Sequence, residues 1–272
     1  MTWVALRVTP DINRDGVIAA LFRAGSQGVH EDGVTVVTHF PSDADFDDIR
    51  VAVMTADPRA DIAMADAAEA DYSEWRASVS SHRVGELVIA PPWLADGLDP
   101  RRTIIVDPAM AFGTGEHAST RGVMRLMQGV VRTGDIVADL GAGSAVLSIA
   151  AAKLGAARVT AIELDHDAIG NGEENVAANR VADRVDVIEG DAATLLPLLA
   201  PVRVVLANII SSVLIPLLPT IRLSLARGGQ AILAGILSEE REAMVQALDA
   251  DGWMIEREDT EDVWWSVQIA LR

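Results

Sequence analysis

The sequence predicts an α/β fold in which a doubly wound, mostly parallel sheet is preceded by a small α+β domain. From about Val79 onward, short apolar segments alternate with stretches of helical length, which is typical of βαβ units. These segments are ELVIAP, RTIIVDP, DIVADLGAG, RVTAIELD, RVDVIEGD, VRVVLANII, QAILAGIL, WMIERED and WWSVQIAL. Only a short polar turn separates the last two, so we expect an antiparallel hairpin at the edge of a Rossmann-like sheet.

Residues 1–56 are predicted to form the small α+β domain, with a ferredoxin-like order of elements. The strand TWVALRV precedes a helix over residues 11 to about 24, and two further strands are expected around Val29 and in VTVVTHF. A second helix, DADFDDIRVAVM, follows them. Residues 57–78, rich in alanine and aspartate, are predicted to be a helical linker, and residues 79–272 to be the large domain.

The charge and composition of the chain exclude several classes of function. Its 22 basic and 40 acidic residues give a formal net charge of −18 at pH 7, which would repel a phosphate backbone, so we expect no direct nucleic-acid ligand. The lack of cysteine excludes disulfides, thiolate zinc sites and a cysteine nucleophile. The five histidines lack metal-binding spacing, so no metal site is expected.

We expect a cytoplasmic protein without a membrane-spanning segment. The first residues have neither the basic leader nor the apolar core of an export signal. Residues 204–221 carry no charge and are long enough to cross a bilayer, but the segment is interrupted by Asn208, Ser211, Ser212, Pro216 and Pro219. This segment is therefore predicted to be a buried strand followed by a helix.

The strongest local signal is a glycine turn between a strand and a helix, in DIVADLGAGSAVLSIAAAKLGA. The strand ends near Asp139, and Gly141 and Gly143 let the backbone approach a ligand at the helix N-terminus. Glu163 follows the next strand, 22 residues after Gly141, where a carboxylate can accept both hydroxyls of a ribose. The pattern predicts a cofactor that contains a nucleoside. The structural alternatives are a turn required for packing and a solvated carboxylate.

The residues around this turn favour a sulfonium cofactor over a dinucleotide. The dinucleotide fingerprint G-x-G-x-x-G requires glycine at position 146, where the chain has Val146. A sulfonium cofactor needs no phosphate cradle, and the carboxylates of Asp139 and Glu163 would stabilise its positive charge. A nicotinamide-dependent oxidoreductase is the alternative from a different class.

Two further polar residues follow strands at the expected ligand-binding edge of the sheet. Asp191, in EGDAATLLP, either meets the exocyclic amine of adenine or caps the next helix. Asn208, in VVLANII, lies where α/β proteins bind ligands. Because its amide can accept hydrogen bonds from an amine and orient the lone pair, Asn208 is the candidate catalytic residue. A buried turn residue is the alternative.

Three segments carry a resemblance to a known family: DPAMAFGTGEHAST (residues 107–120), ADLGAGSAVLSIAAAKLGA and VVLANII. Together they resemble the ribosomal protein L11 methyltransferase family, and the likeness extends over nearly the whole chain. The resemblance implies that S-adenosylmethionine is the cofactor and that it contacts Thr120, Gly141, Glu163 and Asn208. We also place Gly143 and Phe112 among the cofactor-binding residues, with core packing as the alternative for Phe112.

Three positions depart from the family pattern. Ala145 stands where the family usually has a third glycine, Glu163 replaces aspartate, and Ala118-Ser119 replaces Pro-Thr before Thr120. A methyl group at position 145 would crowd the cofactor if that backbone requires a positive φ. Glutamate keeps a bidentate acceptor, and Ser119 keeps a hydroxyl group.

The resemblance implies transfer of methyl groups from S-adenosylmethionine to amino groups of ribosomal protein L11, on lysine side chains, the N-terminus or both. We expect in-line attack by a neutral amine in a desolvated site, without a dedicated base. The acidic chain would attract a basic ribosomal protein, held by the small domain, and we expect a monomer. The alternatives are a methyltransferase for another protein or a small amine, and a non-catalytic binding module.

Overall fold

A computed structural model describes residues 3–26, 29–66, 80–106 and 117–272 of the chain. The chain divides into two compact units, Met1–Val79 and Ser80–Arg272. The first unit contains β1 (Trp3–Thr9), α1 (Arg14–Arg23), β2 (Val29–Asp32), β3 (Thr35–Pro41), α2 (Phe46–Ala56) and β4 (Asp61–Asp66).

The described residues of the first unit form an antiparallel sheet, two helices and an apolar core of their own. Its strands lie in the order β2-β3-β1-β4, which is the ferredoxin-like arrangement. The side chain of Asp57 fixes the loop before α1, because its Oδ2 accepts hydrogen bonds from the backbone N–H groups of Asp11, Ile12 and Asn13. Burial alone would raise the pKa of this carboxyl, but its backbone hydrogen bonds, including one from Arg59, lower it to about 2.

The prediction of a helical linker over residues 57–78 is wrong for residues 61–66. Strand β4 forms there and pairs antiparallel with β1, with Met64 opposite Leu6. The alanine-rich composition favours a helix locally, but pairing with β1 and the packing of Ile62 on the first unit's core override that preference. The small domain therefore extends beyond residue 56. Residues 67–79 lie outside the described part of the chain.

The second unit begins with three short strands, β5 (His82–Val84), β6 (Leu87–Ala90) and β7 (Thr103–Ile105). The long central part contains α3 (Ala118–Met127), β8 (Ile136–Leu140), α4 (Val146–Lys153), β9 (Arg158–Glu163), α5 (His166–Ala178), β10 (Val185–Glu189), α6 (Ala192–Leu199), β11 (Val202–Asn208) and α7 (Ser211–Ser224). The last elements are β12 (Leu225–Leu237), α8 (Arg241–Ala250), β13 (Trp253–Glu261) and β14 (Trp264–Leu271).

Seven strands of the second unit form one sheet in the order β10-β9-β8-β11-β12-β14-β13. The pairs from β10 to β12 are parallel, and β14 runs antiparallel to β12 and β13. The predicted fold class, a mostly parallel sheet with a carboxyl-terminal antiparallel hairpin, is confirmed. Because the strand order reverses between β8 and β11, the carboxyl ends of these strands form the switch point where α/β folds bind ligands.

The segments ELVIAP and RTIIVDP lie outside this main sheet, contrary to the prediction that they belong to it. They supply β6 and β7 of a separate three-stranded sheet in the order β5-β6-β7. Strands β6 and β7 pair parallel with each other, and their connection contains the short 3₁₀ helix Pro92–Leu94 in place of a crossover α-helix, so they do not form a βαβ unit of the main sheet.

Apolar layers cover both faces of the main sheet, and alternate residues of β8 face opposite layers. Val137 packs with the layer that contains α4, whereas Ala138 and Leu140 pack with the layer that contains α7. Asp139 therefore lies on the α4 side of the sheet. Residues 204–221 form the end of β11 and α7, as predicted, and no described helix has the length and apolarity needed to span a bilayer.

Candidate functional site

The glycine turn between β8 and α4 has a left-handed backbone at three positions. The φ angles are +66° at Gly141, +51° at Gly143 and +60° at Ala145. The backbone N–H groups of Gly141 and Ala142 both donate to the carbonyl oxygen of Ile162, at 2.9 and 3.1 Å, and so tie the turn to β9. The glycines of the predicted signal thus occupy the conformation for which glycine is favoured.

Ala145 precedes the first residue of α4 and has φ +60° and ψ +20°. From the sequence, the Ala145 methyl group is predicted to crowd the cofactor if this backbone has a positive φ, and the structure has that φ. A left-handed conformation costs a residue with a Cβ roughly 1–2 kcal/mol. The side chain is fully buried, so its methyl group occupies space beside the turn.

Glu163 ends β9, and its carboxylate connects the glycine turn to the start of α5. Its Oε2 accepts a hydrogen bond from the backbone N–H of Gly143 at 2.7 Å. Its Oε1 accepts from the backbone N–H groups of Leu164 and Asp165, at 2.8 and 2.9 Å. A carboxylate oxygen offers more than one acceptor site, so Oε2 can still accept a hydroxyl.

Asp139 lies beneath the turn, with a carboxyl group that is 1% exposed. Its Oδ2 accepts from the Ser148 hydroxyl at 2.7 Å, whereas its Oδ1 is buried without a partner among the described residues. Burial, together with the negative charge of Glu163, raises the pKa of Asp139 to about 7, although the hydrogen bonds from Ser148 favour the ionised form. About half of the Asp139 carboxyl groups are therefore ionised at pH 7, and a positively charged ligand nearby would favour the ionised form.

Thr120 and Asn208 are brought together at the switch point. The Asn208 Nδ2 donates to the Thr120 Oγ1 at 3.2 Å. Thr120 lies in the first turn of α3 and is buried, while Asn208 ends β11 and is half-buried. With Nδ2 engaged, the amide oxygen of Asn208 is the acceptor left for a ligand.

Two other predicted residues do not join this group. Asp191 caps α6, because its Oδ1 accepts from the backbone N–H of Ala193 and its Oδ2 from the Thr194 hydroxyl, at 3.0 and 3.2 Å. Asp191 thus has the helix-capping role that was one of its two predicted roles, and its contact with adenine stays a prediction. Phe112 lies outside the described residues.

His117 is the residue that caps the start of α3. Its Nδ1 lies 2.7 Å from the Ser119 hydroxyl, and its ring makes an edge contact with the Trp264 ring, 4.6 Å between centroids. Burial and the positive charge of Arg121 lower its pKa, so the imidazole is neutral at pH 7. This contact places the carboxyl-terminal hairpin against the beginning of α3.

The sequence reasoning missed a group of ion pairs that fixes α3 to the hairpin. Arg121 pairs with Glu261, and Arg125 pairs with both Asp259 and Glu261. The signal was present, because arginines four residues apart share a helix face and acidic residues two apart share a strand face. These pairs hold the helix that carries Thr120.

The carboxyl ends of β8, β9 and β11 thus assemble most of the predicted site. Gly143 and Glu163 are joined directly, and a Cβ placed on Gly141 would lie 3.0 Å from the side chain of Ile209, the residue after Asn208. The site combines backbone donors, a carboxylate and an amide at one edge of the sheet. Within the described ranges there is no group of three or more histidine, aspartate or glutamate residues that could hold a metal ion.

Comparisons with known proteins identify similar chains. A family model described as Ribosomal protein L11 methyltransferase (PrmA) matches residues 11–272. A ribosomal protein L11 methyltransferase of Exiguobacterium is 34% identical over 247 residues, covering 86% of this chain and 78% of the relative. One from Streptococcus equi subsp. zooepidemicus is 31% identical over 275 residues, covering 96% and 85%. The crystal structure of a ribosomal protein L11 methylase from Lactobacillus delbrueckii subsp. bulgaricus has a TM-score of 0.64 and 28% identity, covering 71% of this chain and all of that one.

Proposed function

The chain belongs to the ribosomal protein L11 methyltransferase family, and on that basis we propose that it methylates amino groups of ribosomal protein L11. It is an S-adenosylmethionine-dependent protein methyltransferase. We propose that the methyl acceptors are lysine side chains of L11 or its N-terminal amine, and we assign below the residues that take part in the reaction.

The observation that carries the proposal is the meeting of the glycine turn, Glu163 and the Thr120–Asn208 pair at one switch point. The residues present fit S-adenosylmethionine. The turn offers backbone groups at a helix N-terminus, Glu163 offers a carboxylate for ribose hydroxyls, and Asp139 has a buried oxygen without a described partner, which favours a cationic ligand nearby.

We assign the cofactor to Gly141, Gly143, Glu163, Thr120 and Asn208, with Asp139 acting through its charge. When bound, the cofactor supplies an electrophilic methyl group on a positively charged sulfur. Glu163 can bind ribose with the acceptor sites that its three backbone hydrogen bonds leave open.

The contribution of the chain to methyl transfer is orientation of the amine. Thr120 holds the Nδ2 of Asn208, so the amide oxygen can accept an N–H of the incoming amine and align its lone pair. The exposed apolar side chains of Leu164 and Ile210 follow β9 and Asn208 at this edge. An apolar environment lowers the pKa of a lysine amine and so favours its reactive neutral form.

We further propose that the first unit holds L11 and that the enzyme acts as a cytoplasmic monomer without contacting nucleic acid or membrane. The net charge of −18 supports an encounter with a basic protein. None of the assigned cofactor residues lies in Met1–Val79, which leaves that unit available for the protein substrate.

Two experiments test these assignments. Unmethylated ribosomal proteins are incubated with the enzyme and methyl-labelled S-adenosylmethionine, and label on L11 alone is expected. Label on other proteins and none on L11 would favour the alternative substrate.

A chain that begins at Ser80 should bind the cofactor but lose methyl transfer to intact L11, because binding energy from the first unit aligns the amine with the methyl group. Equal turnover by both chains would contradict the role of the first unit.

A further inference from the structure

Helix α5 carries three asparagines on one face, and all three are buried. Asn171, Asn175 and the C-capping residue Asn179 are spaced four residues apart and are 9%, 5% and 6% exposed. Asparagine is unfavourable in helix interiors because its side chain competes for backbone hydrogen bonds. Buried amides must also find partners. The partners of these side chains therefore indicate what the helix face does.

Asn179 binds the backbone of Ile105 at the end of β7. Its Oδ1 accepts from the Ile105 N–H at 2.8 Å, and its Nδ2 donates to the Ile105 carbonyl oxygen at 2.6 Å. Strand β7 is an edge of its three-stranded sheet, so the Asn179 amide satisfies backbone groups that a neighbouring strand would otherwise bind. Both bonds fix α5 against β7.

Asn175, one turn earlier, reaches the glycine turn. Its Nδ2 donates to the carbonyl oxygen of Ser144 at 3.1 Å and to the Oδ1 of Asn171 at 3.0 Å. Helix α5 also approaches the turn closely at Gly172, where an added Cβ would lie 3.2 Å from the carbonyl oxygen of Gly143. The helix thus contacts two consecutive residues of the turn.

Ser144, whose carbonyl oxygen accepts the hydrogen bond from Asn175, lies where the turn has its left-handed backbone. It lies between Gly143 and Ala145, whose φ angles are both positive. Ala145 resists this conformation because it carries a Cβ, so contacts from outside the turn help to maintain it. Asn175 supplies one of them, at the carbonyl oxygen between the two positions.

We propose that Asn175 and Asn179 are positioning residues for cofactor binding. Asn179 fixes α5 against β7, and from that helix Asn175 holds the Ser144 carbonyl and with it the conformation of the turn. Neither side chain needs to touch the cofactor, since each acts through backbone atoms. The inference rests on the proposed function, because it assigns cofactor affinity to this turn.

The test measures the dissociation constant of S-adenosylhomocysteine by calorimetry and the steady-state constants with L11. Asn175→Ala is expected to raise the dissociation constant and the KM for S-adenosylmethionine about three- to tenfold, as for loss of one hydrogen bond, with the KM for L11 unchanged. Asn175→Asp keeps the size but loses the donor, so it should behave in the same way. Asn179→Ala should weaken cofactor binding as well.

Val176→Ala is the control, because it removes buried side-chain atoms from the same helix and an apolar side chain makes no hydrogen bond to Ser144, Ile105 or Asn175. It should lower the melting temperature and leave the dissociation constant within about twofold, less than a single hydrogen bond is worth. A change in cofactor affinity as large as that of Asn175→Ala would mean that general loosening of α5 causes the effect, and it would overturn the assignment.

Gly172→Ala gives a second route that does not weaken the helix, since alanine has the higher helix propensity. Its methyl group would press on the Gly143 carbonyl, so reduced cofactor affinity in a folded protein is expected. Wild-type cofactor affinity in both Gly172→Ala and Asn175→Asp would overturn this inference and leave the proposed function intact. A wild-type protein that binds no S-adenosylhomocysteine would overturn the proposed function together with it.

Discussion

The Asn208 amide donates to the Thr120 hydroxyl over 3.2 Å, although 88 residues separate the two along the chain. The contact joins the end of β11 to the first turn of α3. With one N–H of Nδ2 engaged, the amide oxygen of Asn208 stays available as an acceptor, which the proposed orientation of the amine requires.

Asn208→Ala should reduce kcat with L11 by about 10²-fold, because the amine loses the group that aligns it. Thr120→Val keeps Asn208 but removes its partner, so it should cost about tenfold or less, as for one hydrogen bond. Steady-state kinetics of both variants measure the difference. A wild-type kcat in Asn208→Ala would remove this residue from the reaction.

Glu163→Ala should weaken cofactor binding by roughly 1.5–3 kcal/mol, the range for a hydrogen bond to a charged group. Part of this loss arises from the turn, because Glu163 also accepts from Gly143. Glu163→Asp restores the residue usual in the family and serves as the matched control, with most of the affinity retained. Calorimetry with S-adenosylmethionine measures both, and an unchanged dissociation constant in Glu163→Ala would exclude Glu163 from the site.

Ala145→Gly should raise the free energy of unfolding by about 1 kcal/mol, since position 145 has a φ of +60°. Cofactor affinity should stay the same or improve, because the methyl group beside the turn is removed. Ala150→Gly, in the interior of α4, should instead lower stability by about 1 kcal/mol or more. Urea unfolding distinguishes them, and a stable Ala145→Gly protein with clearly weaker binding would show that the methyl group is used.

Part of the fold and of the site could be predicted from the sequence, and part could not. The strands of the main sheet were predictable because buried parallel strands are nearly continuous apolar runs. The glycine turn and Glu163 were predictable because their spacing is local. Strand β4 was not, because its alanine-rich residues become a strand only by pairing with β1.

The remaining parts of the site depend on tertiary contacts that local patterns do not encode. Thr120 was identified by family resemblance, since no spacing rule connects it with Asn208. The contacts of Asn175 and Asn179 were missed because their partners are backbone atoms of Ser144 and Ile105, which leave no mark on side-chain identity. Their four-residue spacing was the one signal available.

The buried carboxyl of Asp139 predicts a loss of stability as the pH rises from about 4 to about 7. Burial raises the pKa of this group to about 7 in the folded chain, from an ordinary value of 3.8. Between these values the folded chain holds a proton that the unfolded chain releases, so raising the pH favours unfolding. One such group contributes about 1.4 kcal/mol per pH unit within that window.

Asp139→Asn should remove this decline, and the exposed Asp183→Asn should keep it. Urea unfolding of the three proteins at several pH values between about 4 and 7 provides the measurement. Parallel stability profiles for wild type and Asp139→Asn would show that Asp139 titrates normally.

The central claim, methylation of L11 by this chain, is tested most directly by the mass of L11 itself. L11 is isolated from cells that carry the gene, from cells that lack it, and from the latter after expression of either the wild type or Asn208→Ala, and intact-mass and peptide mass spectra are recorded. The account predicts whole methyl groups on lysine side chains or the N-terminal amine only where active enzyme is present. Identical L11 masses with and without the gene, in cells that produce the folded protein, would contradict it.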